Sequence, residues 1–257
     1  MAMPSDGPAP RTGPSRKALL IGALVVVAVV AGALWWFLLR DDSPEAFDID
    51  DAVAGATTDD DDADPADPTT TEAAPDGVDG TWTVDPEAGA DAGGSAAGFR
   101  VAEELATFGA TEAVGRTSQV TGSITIAGTA VTEAAFEVDM GSLQTDDDRR
   151  DGRMRSALAT DQFPTATFVL AEPIELGTIP AEGETTSVGA VGDLTIKGVT
   201  NRVELALDAQ VVGDTLVVVG AVPVVFSEYG VEAPTAAIVV SVADRGTIEL
   251  QLVLSRA

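Results

Sequence analysis

From residue 81 onward, apolar and polar residues alternate in short runs that are separated by Gly, Pro and Asp. In the run 119–127, Val120, Ile124 and Ile126 fall on one parity, and threonine and serine fall on the other. This period of two is typical of a strand with one buried face. About eight such runs predict an all-β domain, either an antiparallel sandwich or an up-and-down barrel. Periodicity alone does not choose between these two architectures.

One helix is predicted among the strands, near residues 146–158. Thr145 is a suitable N-cap, and Asp148 three residues later completes the pattern of a capping box. Acidic residues in the first turn, followed by several arginines, suit the helix dipole. Asp146 and Arg150 are spaced for a surface ion pair. Pro164 ends the helix, because the residue before a proline is driven to extended angles.

The first 39 residues have a different pattern, which predicts a membrane anchor. Residues 1–17 are rich in Pro, Gly and Ser and predict a disordered tail. Residues 18–39 carry no charge and no proline, and the run exceeds the roughly 18 apolar residues that indicate a transmembrane helix. A cleaved signal peptide is the alternative, but the run is longer than a signal core and no A-x-A site follows it.

The charges around the apolar run predict its orientation in the cell membrane. Arg16 and Lys17 precede the run, whereas Arg40 after it is followed at once by Asp41 and Asp42. The positive-inside rule therefore places the N-terminus in the cytoplasm and the rest of this single-pass chain outside it.

Residues 40–80 predict a disordered acidic linker. They are rich in Asp, Ala, Pro and Thr, and Arg40 is their one base. Such a composition cannot bury enough apolar surface to fold. The acidic run 59–62 lacks the glycine and the terminal glutamate of an EF-hand loop, so a solvated spacer is favoured over a calcium site. The folded domain is then expected to be residues 81–257.

The composition excludes several classes of function. With 42 acids, 14 bases and a net charge of -28, the chain is not expected to bind nucleic acid, which requires clustered Lys and Arg. The chain has no Cys and no His, which excludes disulfides, thiol nucleophiles, imidazole-dependent triads and Cys or His metal sites. We therefore expect no metal and no cofactor.

Several short motifs occur in a characteristic order along the predicted domain. They are Ser142-Leu143, Arg150-Asp151 with Arg155-Ser156, FPTATF at residues 163–168, GDLTIKGVT at 192–200 and FSEYG at 226–230. Together they resemble the YceI family, lipocalin-like β-barrels that bind polyisoprenoid lipids. The resemblance covers the chain from about Thr81 to its end and implies a barrel with a long apolar ligand. Many family members carry a histidine where Lys197 stands, so a role for that imidazole does not transfer.

The candidate ligand site is the inward-facing apolar set of the predicted strands. On pattern alone this set is a filled core; the low aromatic content, with Trp82 the one tryptophan of the domain, favours a cavity instead. The resemblance implies that the set lines a lipid tunnel. Its members are Val101, Phe136, Val138, Phe168, Leu194, Ile196, Leu205, Leu207, Phe226 and Leu250.

No catalytic residues are predicted. The arginines at 149, 150, 153 and 155 are interpreted as a solvated helix face paired with local acids, rather than as a phosphate site. Carboxylates such as Glu103 and Glu104 are expected to be exposed, and no pair lies in an apolar setting that would shift a pKa.

The expected function is therefore a non-enzymatic one. We expect a membrane-tethered, extracytoplasmic protein that holds a polyisoprenoid or similar long-chain lipid, for storage, transport or stress protection. One alternative is a scaffold or stress-response module with a filled core and a protein partner. The other is an enzyme that acts on a lipid, which the lack of His and Cys disfavours.

Overall fold

The computed structural model describes residues 43–58, 77–85, 94–106, 109–233 and 239–257. Within these ranges the two α-helices are α1 (Ile49–Thr58) and α2 (Asp148–Leu158), and short 3-10 helices occupy Met140–Ser142 and Phe226–Tyr229. The strands are β1 (Gly80–Val84), β2 (Ala96–Leu105), β3 (Gly109–Thr117), β4 (Val120–Ala127), β5 (Ala130–Asp139), β6 (Thr165–Leu170), β7 (Ile174–Glu175), β8 (Thr186–Ile196), β9 (Val199–Val212), β10 (Thr215–Val225) and β11 (Val239–Arg256).

The strands form one antiparallel sheet that closes on itself. Its order is β1-β4-β5-β6-β8-β9-β10-β11-β2-β3, and β1 also pairs with β11. Eight described strands, from β1 through β4 round to β11, therefore make a ring, and closure leaves few exposed edges. The long strand β11 pairs with β1 near its C-terminal end and with β2 along the rest. The predicted all-β antiparallel barrel is confirmed.

The sequence missed β1, β3 and β7. Strand β3 reads GATEAVGRT, with small residues where large apolar ones would reveal a strand. By contrast, the alternating runs at 191–196 and 202–211, on either side of Lys197 and Gly198, predict a β-hairpin, and the structure confirms it. Lys197 and Gly198 form its two-residue turn between the paired residues Ile196 and Val199, and both turn residues have positive φ, 51° and 75°. Positive φ at both positions is typical of the turn that matches strand twist.

Helix α2 is present, but its predicted cap is wrong. The N-cap is Asp147, whose carboxylate accepts hydrogen bonds from the backbone N–H of Arg149 at 2.7 Å and of Arg150 at 3.1 Å. Thr145 instead donates both its N–H and its hydroxyl to Oδ1 of the buried Asp151, at 2.8 and 2.7 Å. The helix ends at Leu158 as predicted, but Ala159 rather than Pro164 ends it. Ala159 adopts the left-handed conformation, and its N–H donates to the carbonyls of Arg155 and Ser156, which closes the last turn.

The predicted disordered linker is wrong for residues 43–58, which we call the strap. Helix α1 in the strap places Ile49, Ala52, Val53 and Ala56 on one face, at the spacing of an amphipathic helix. This face packs on Val217 and Val219 of β10, and Ala52 is 1% exposed. A compact unit therefore begins at Ser43 rather than near Thr81. The acidic residues 59–76 lie outside the described ranges.

The predicted tail 1–17 and membrane span 18–39 also lie outside the described residues, so both stay predictions. Within the ranges that the structure describes, no helix is long and apolar enough to cross a membrane.

The barrel core has two apolar clusters. One surrounds Trp82, which is fully buried and whose indole N–H donates to the carbonyl of Val78 at 2.9 Å. The other surrounds Tyr229, Phe168 and Leu205 toward the end of the barrel that α2 approaches. Space remains between the inward-facing side chains of both clusters, and it forms the candidate site.

Candidate functional site

Three apolar cavities lie among the inward-facing side chains. The far cavity, about 100 Å³, reaches Val78 and Pro180. The middle cavity, about 90 Å³, is lined by Val138, Leu143 and Leu194 among others. The mouth cavity, about 130 Å³, lies beneath Met154 and Leu158 of α2. Apolar cavities of this size stay dry and accept hydrocarbon, as an engineered cavity of about 150 Å³ does with benzene.

The three cavities form a row along the barrel. The far and middle cavities share lining residues Phe136, Phe168, Leu205, Leu250 and Leu252. The middle and mouth cavities share Phe99, Met140, Ile196 and Ile248. Each division is therefore one layer of side chains thick, and rotation of those side chains would join the cavities into a tunnel.

Each of the ten residues proposed from the sequence lines at least one of these cavities. Alternation succeeds here because successive side chains of a strand point to opposite faces. The residues that line the mouth cavity are Val101, Ile196 and Phe226. Those that line the middle cavity are Val138, Leu194 and Ile196, and Leu207 lines the far cavity. The remaining four line both the far and the middle cavity: Phe136, Phe168, Leu205 and Leu250. Their role as ligand contacts stays a prediction.

Periodicity does not identify all of the residues that line the cavities. Val218 and Val222 lie in the continuous apolar run of β10, where both parities are apolar and periodicity gives no direction. The outward parity of that strand, Val217 and Val219, is apolar because the strap covers it. The spacing of Met154 and Leu158 predicts an apolar stripe on the helix, but it does not reveal that both side chains line the mouth cavity.

A buried ion pair stands at the mouth cavity. Arg150 of α2 donates from Nη2 to Oε1 of Glu103 on β2 at 2.8 Å, and both residues line the cavity. The Glu103 side chain is 5% exposed, so the expectation that it is exposed is wrong. Arg150 also pairs with Asp146, as the spacing predicted. Because a buried carboxylate needs a partner, this pair ties α2 to the barrel end.

Tyr229 adds a second polar group at the mouth cavity. The residue is 2% exposed, and its hydroxyl has no partner at hydrogen-bonding geometry among the described residues. Burial raises the pKa of this hydroxyl above its ordinary value, and the nearby Asn201 side chain partly offsets the effect. The group is therefore an uncharged phenol at neutral pH.

The apolar lining of the cavities is suited to enclosing hydrocarbon. Among the residues that the structure describes, no group of three or more acidic, Cys or His side chains could hold a metal ion. Charged and amide side chains line the two outer cavities, with Glu184 and Gln210 at the far cavity and Glu103 and Arg150 at the mouth cavity, whereas the lining of the middle cavity includes Thr167 and Glu249.

The fold and the apolar lumen define an eight-stranded antiparallel β-barrel with an apolar interior. A family model described as the YceI-like domain matches residues 82–254, so the chain belongs to the YceI-like domain family. The family match begins after the strap, which is therefore an addition to the shared domain.

Three solved structures are similar to this chain. A polyisoprenoid binding domain from Saccharophagus degradans, implicated in plant cell wall breakdown, has a TM-score of 0.53 at 19% identity and covers 68% of this chain and 98% of its own. BcnA of Burkholderia cenocepacia has a TM-score of 0.49 at 22% identity, with 66% and 98% covered. A Campylobacter jejuni YCEI protein has 0.46 at 16% identity, with 56% and 84% covered. Among curated proteins none matches the chain at a significant level.

Proposed function

We propose that this protein binds a long apolar lipid, a polyisoprenoid, in the lumen of its barrel. The observation that carries the proposal is the row of three apolar cavities, divided by single layers of side chains. Burying hydrocarbon is favourable by roughly 25 cal/mol per Å² of apolar area, so a slender chain needs a dry tunnel and few polar contacts. Membership of the YceI-like family and the likeness to a polyisoprenoid binding domain support this ligand class.

The cavities are smaller than a long prenyl chain, so binding requires side chains to move. The dividing layers contain Phe99, Phe136, Phe168 and Met140. Aromatic rings and the unbranched methionine can change rotamer without opening the strand ladder. The ligand thus replaces contacts between lumen side chains with contacts of its own. This role is binding, with storage, transport or protection of the lipid as its result, and it involves no catalysis.

We also propose that the barrel works outside the cytoplasm, tethered by residues 18–39 as a single-pass helix in the cell membrane. The support is the uncharged run itself and the bases Arg16 and Lys17 before it. A tethered barrel would exchange its lipid with the membrane that holds it.

Mass spectrometry of the organic extract of the natively purified protein tests the ligand proposal. We expect a prenyl lipid in stoichiometric amount, or stoichiometric uptake of an added prenyl alcohol by the extracted protein. If neither is found, the scaffold with a protein partner becomes the favoured function.

A further inference from the structure

Resting on the proposed function but going beyond it, we propose that phenylalanines folded back onto glycines set how long a chain the barrel holds. Phe99, between the middle and mouth cavities, is the outer gate. Phe136 and Phe168, between the far and middle cavities, are the inner gate. In each case a glycine on a neighbouring strand leaves the space into which the ring retracts.

The outer gate is held by Gly115. Phe99 on β2 and Gly115 on β3 are directly paired across the ladder. A Cβ placed on Gly115 would lie 2.5 Å from Cε1 and 2.8 Å from Cζ of Phe99, so the ring covers the glycine closely. The ring therefore lies along the wall instead of crossing the lumen.

The inner gate has two rings that lean apart. Phe136 on β5 and Phe168 on β6 are cross-strand partners. A Cβ on Gly122 of β4 would lie 2.5 Å from Cδ1 of Phe136, and a Cβ on Gly192 of β8 would lie 2.3 Å from Cζ of Phe168. Each ring thus lies against the neighbouring strand on the side away from its partner, Phe136 against β4 and Phe168 against β8.

Backbone conformation does not explain why glycine occupies all three of these positions. Gly115 and Gly192 do not have the positive φ that requires glycine, although Gly122 does. Glycine inside a strand weakens it and marks a place of close approach. At Gly115 the three nearest atoms to an added Cβ all belong to the Phe99 ring, so the ring is what the missing side chain accommodates.

The physical consequence is a length limit. Any side chain at Gly115 would push the Phe99 ring inward, because the backbone closes the outer side, and the layer that already separates the middle and mouth cavities could then no longer open. A chain entering from either end could fill only the cavities on its own side. A long prenyl chain would lose contacts, whereas a short one would not.

The test compares wild type, Gly115→Ala and Gly115→Ala with Phe99→Leu, using farnesol as a short probe and solanesol as a long one. Gly115→Ala should weaken solanesol binding by about tenfold or more, the size of an overpacking effect, and leave farnesol binding within about twofold. The added Phe99→Leu change should restore solanesol binding. Gly152→Ala on α2, where an added Cβ meets nothing within 4 Å, is the matched control and should change neither affinity.

The outcomes separate the two proposals. Wild type that binds neither probe overturns the proposed function. Wild type that binds both, with Gly115→Ala folded and equally able to bind solanesol, overturns the gate alone. If Gly115→Ala does not fold, Phe99→Trp is used, since the larger ring cannot retract and has cavities of about 90 and 130 Å³ beside it. Unchanged solanesol binding in that variant overturns the gate equally.

Discussion

Nε of Arg100 lies 2.7 Å from Oε2 of Glu249, in an ion pair on the outer wall of the barrel. The other oxygen of Glu249 accepts from Nε of Arg116 at 2.8 Å, and the carboxylate is 3% exposed. Arg100 and Arg116 then donate to the strap, to the backbone carbonyls of Pro44 and Glu45. One buried carboxylate thus orients two arginines that hold the strap.

The strap should contribute to stability. A chain that begins at Gly77 loses the apolar face of α1 and exposes Val217 and Val219, which a chain that begins at Ser43 covers. We expect the shorter chain to lose about 2–4 kcal/mol of unfolding free energy, the scale of uncovering a few aliphatic side chains. Urea denaturation of the two chains measures the difference, and equal midpoints would show that the strap does not pack on β10.

Glu249→Gln should destabilise the barrel strongly. Burial alone would lower the pKa of Arg100, but its hydrogen bonds to Glu249 and Glu112 raise the pKa above the ordinary value, so the guanidinium stays charged. Removing the buried countercharge should cost about 3 kcal/mol, as for other broken buried pairs. Asp193→Asn, which breaks the exposed pair with Arg202, is the control and should cost less than about 1 kcal/mol. Similar losses in the two variants would contradict the role of Glu249.

The cap of α2 should make stability depend on pH. Hydrogen bonds from the backbone N–H of Arg150 and Arg149 hold the pKa of Asp147 below its ordinary 3.8. A carboxyl with a lowered folded-state pKa stabilises the fold above its ordinary value, and this stabilisation is lost as the pH falls through the folded-state pKa. The melting temperatures of wild type and Asp147→Asn should therefore converge as the pH falls below 3.8 and through the lowered folded-state pKa. Asp161→Asn, at an exposed site after the helix, is the control. If the difference in melting temperature between wild type and Asp147→Asn does not change with pH, the Asp147 carboxylate makes no pH-dependent contribution to stability.

Val138→Phe should distinguish an open lumen from a filled core. Val138 lines the middle cavity of about 90 Å³, so an added ring should displace lipid while the fold persists. In a filled interior the same change would cost about 1–3 kcal/mol and there would be no lipid to lose. Val169→Phe is the matched control, because Val169 lies on the outer face of β6 and is 49% exposed. This variant should retain the bound lipid and the melting temperature of wild type. Extracted lipid and melting temperature are the two measurements.

Protease added to spheroplasts should remove the barrel if residues 18–39 anchor the chain with its N-terminus inside. The expectation follows from the bases at Arg16 and Lys17 and from the uncharged run after them. A cytoplasmic reporter protein serves as the control for intact membranes. Full protection of the barrel would exclude this orientation, and a mature protein that begins after Leu39 would exclude the anchor.

The sequence was sufficient to predict those features that depend only on residues close together along the chain. Side-chain alternation identified lumen residues such as Phe136 and Leu205, because the strand period of two holds whatever the strand pairs with. The turn at Lys197 and Gly198 was predictable for the same reason, since the conformation of a two-residue hairpin depends on its own sequence.

The tertiary structure decided whatever depends on residues distant in sequence. Glu103 is buried because Arg150, 47 positions later, reaches it. The strap folds because Val217 and Val219 offer it an apolar surface that its own composition does not provide. The retracted Phe99 ring depends on Gly115 of another strand. Burial, pairing and free space are properties of neighbours in three dimensions. Local alternation therefore predicted most of the strands, whereas packing determined the lumen between them.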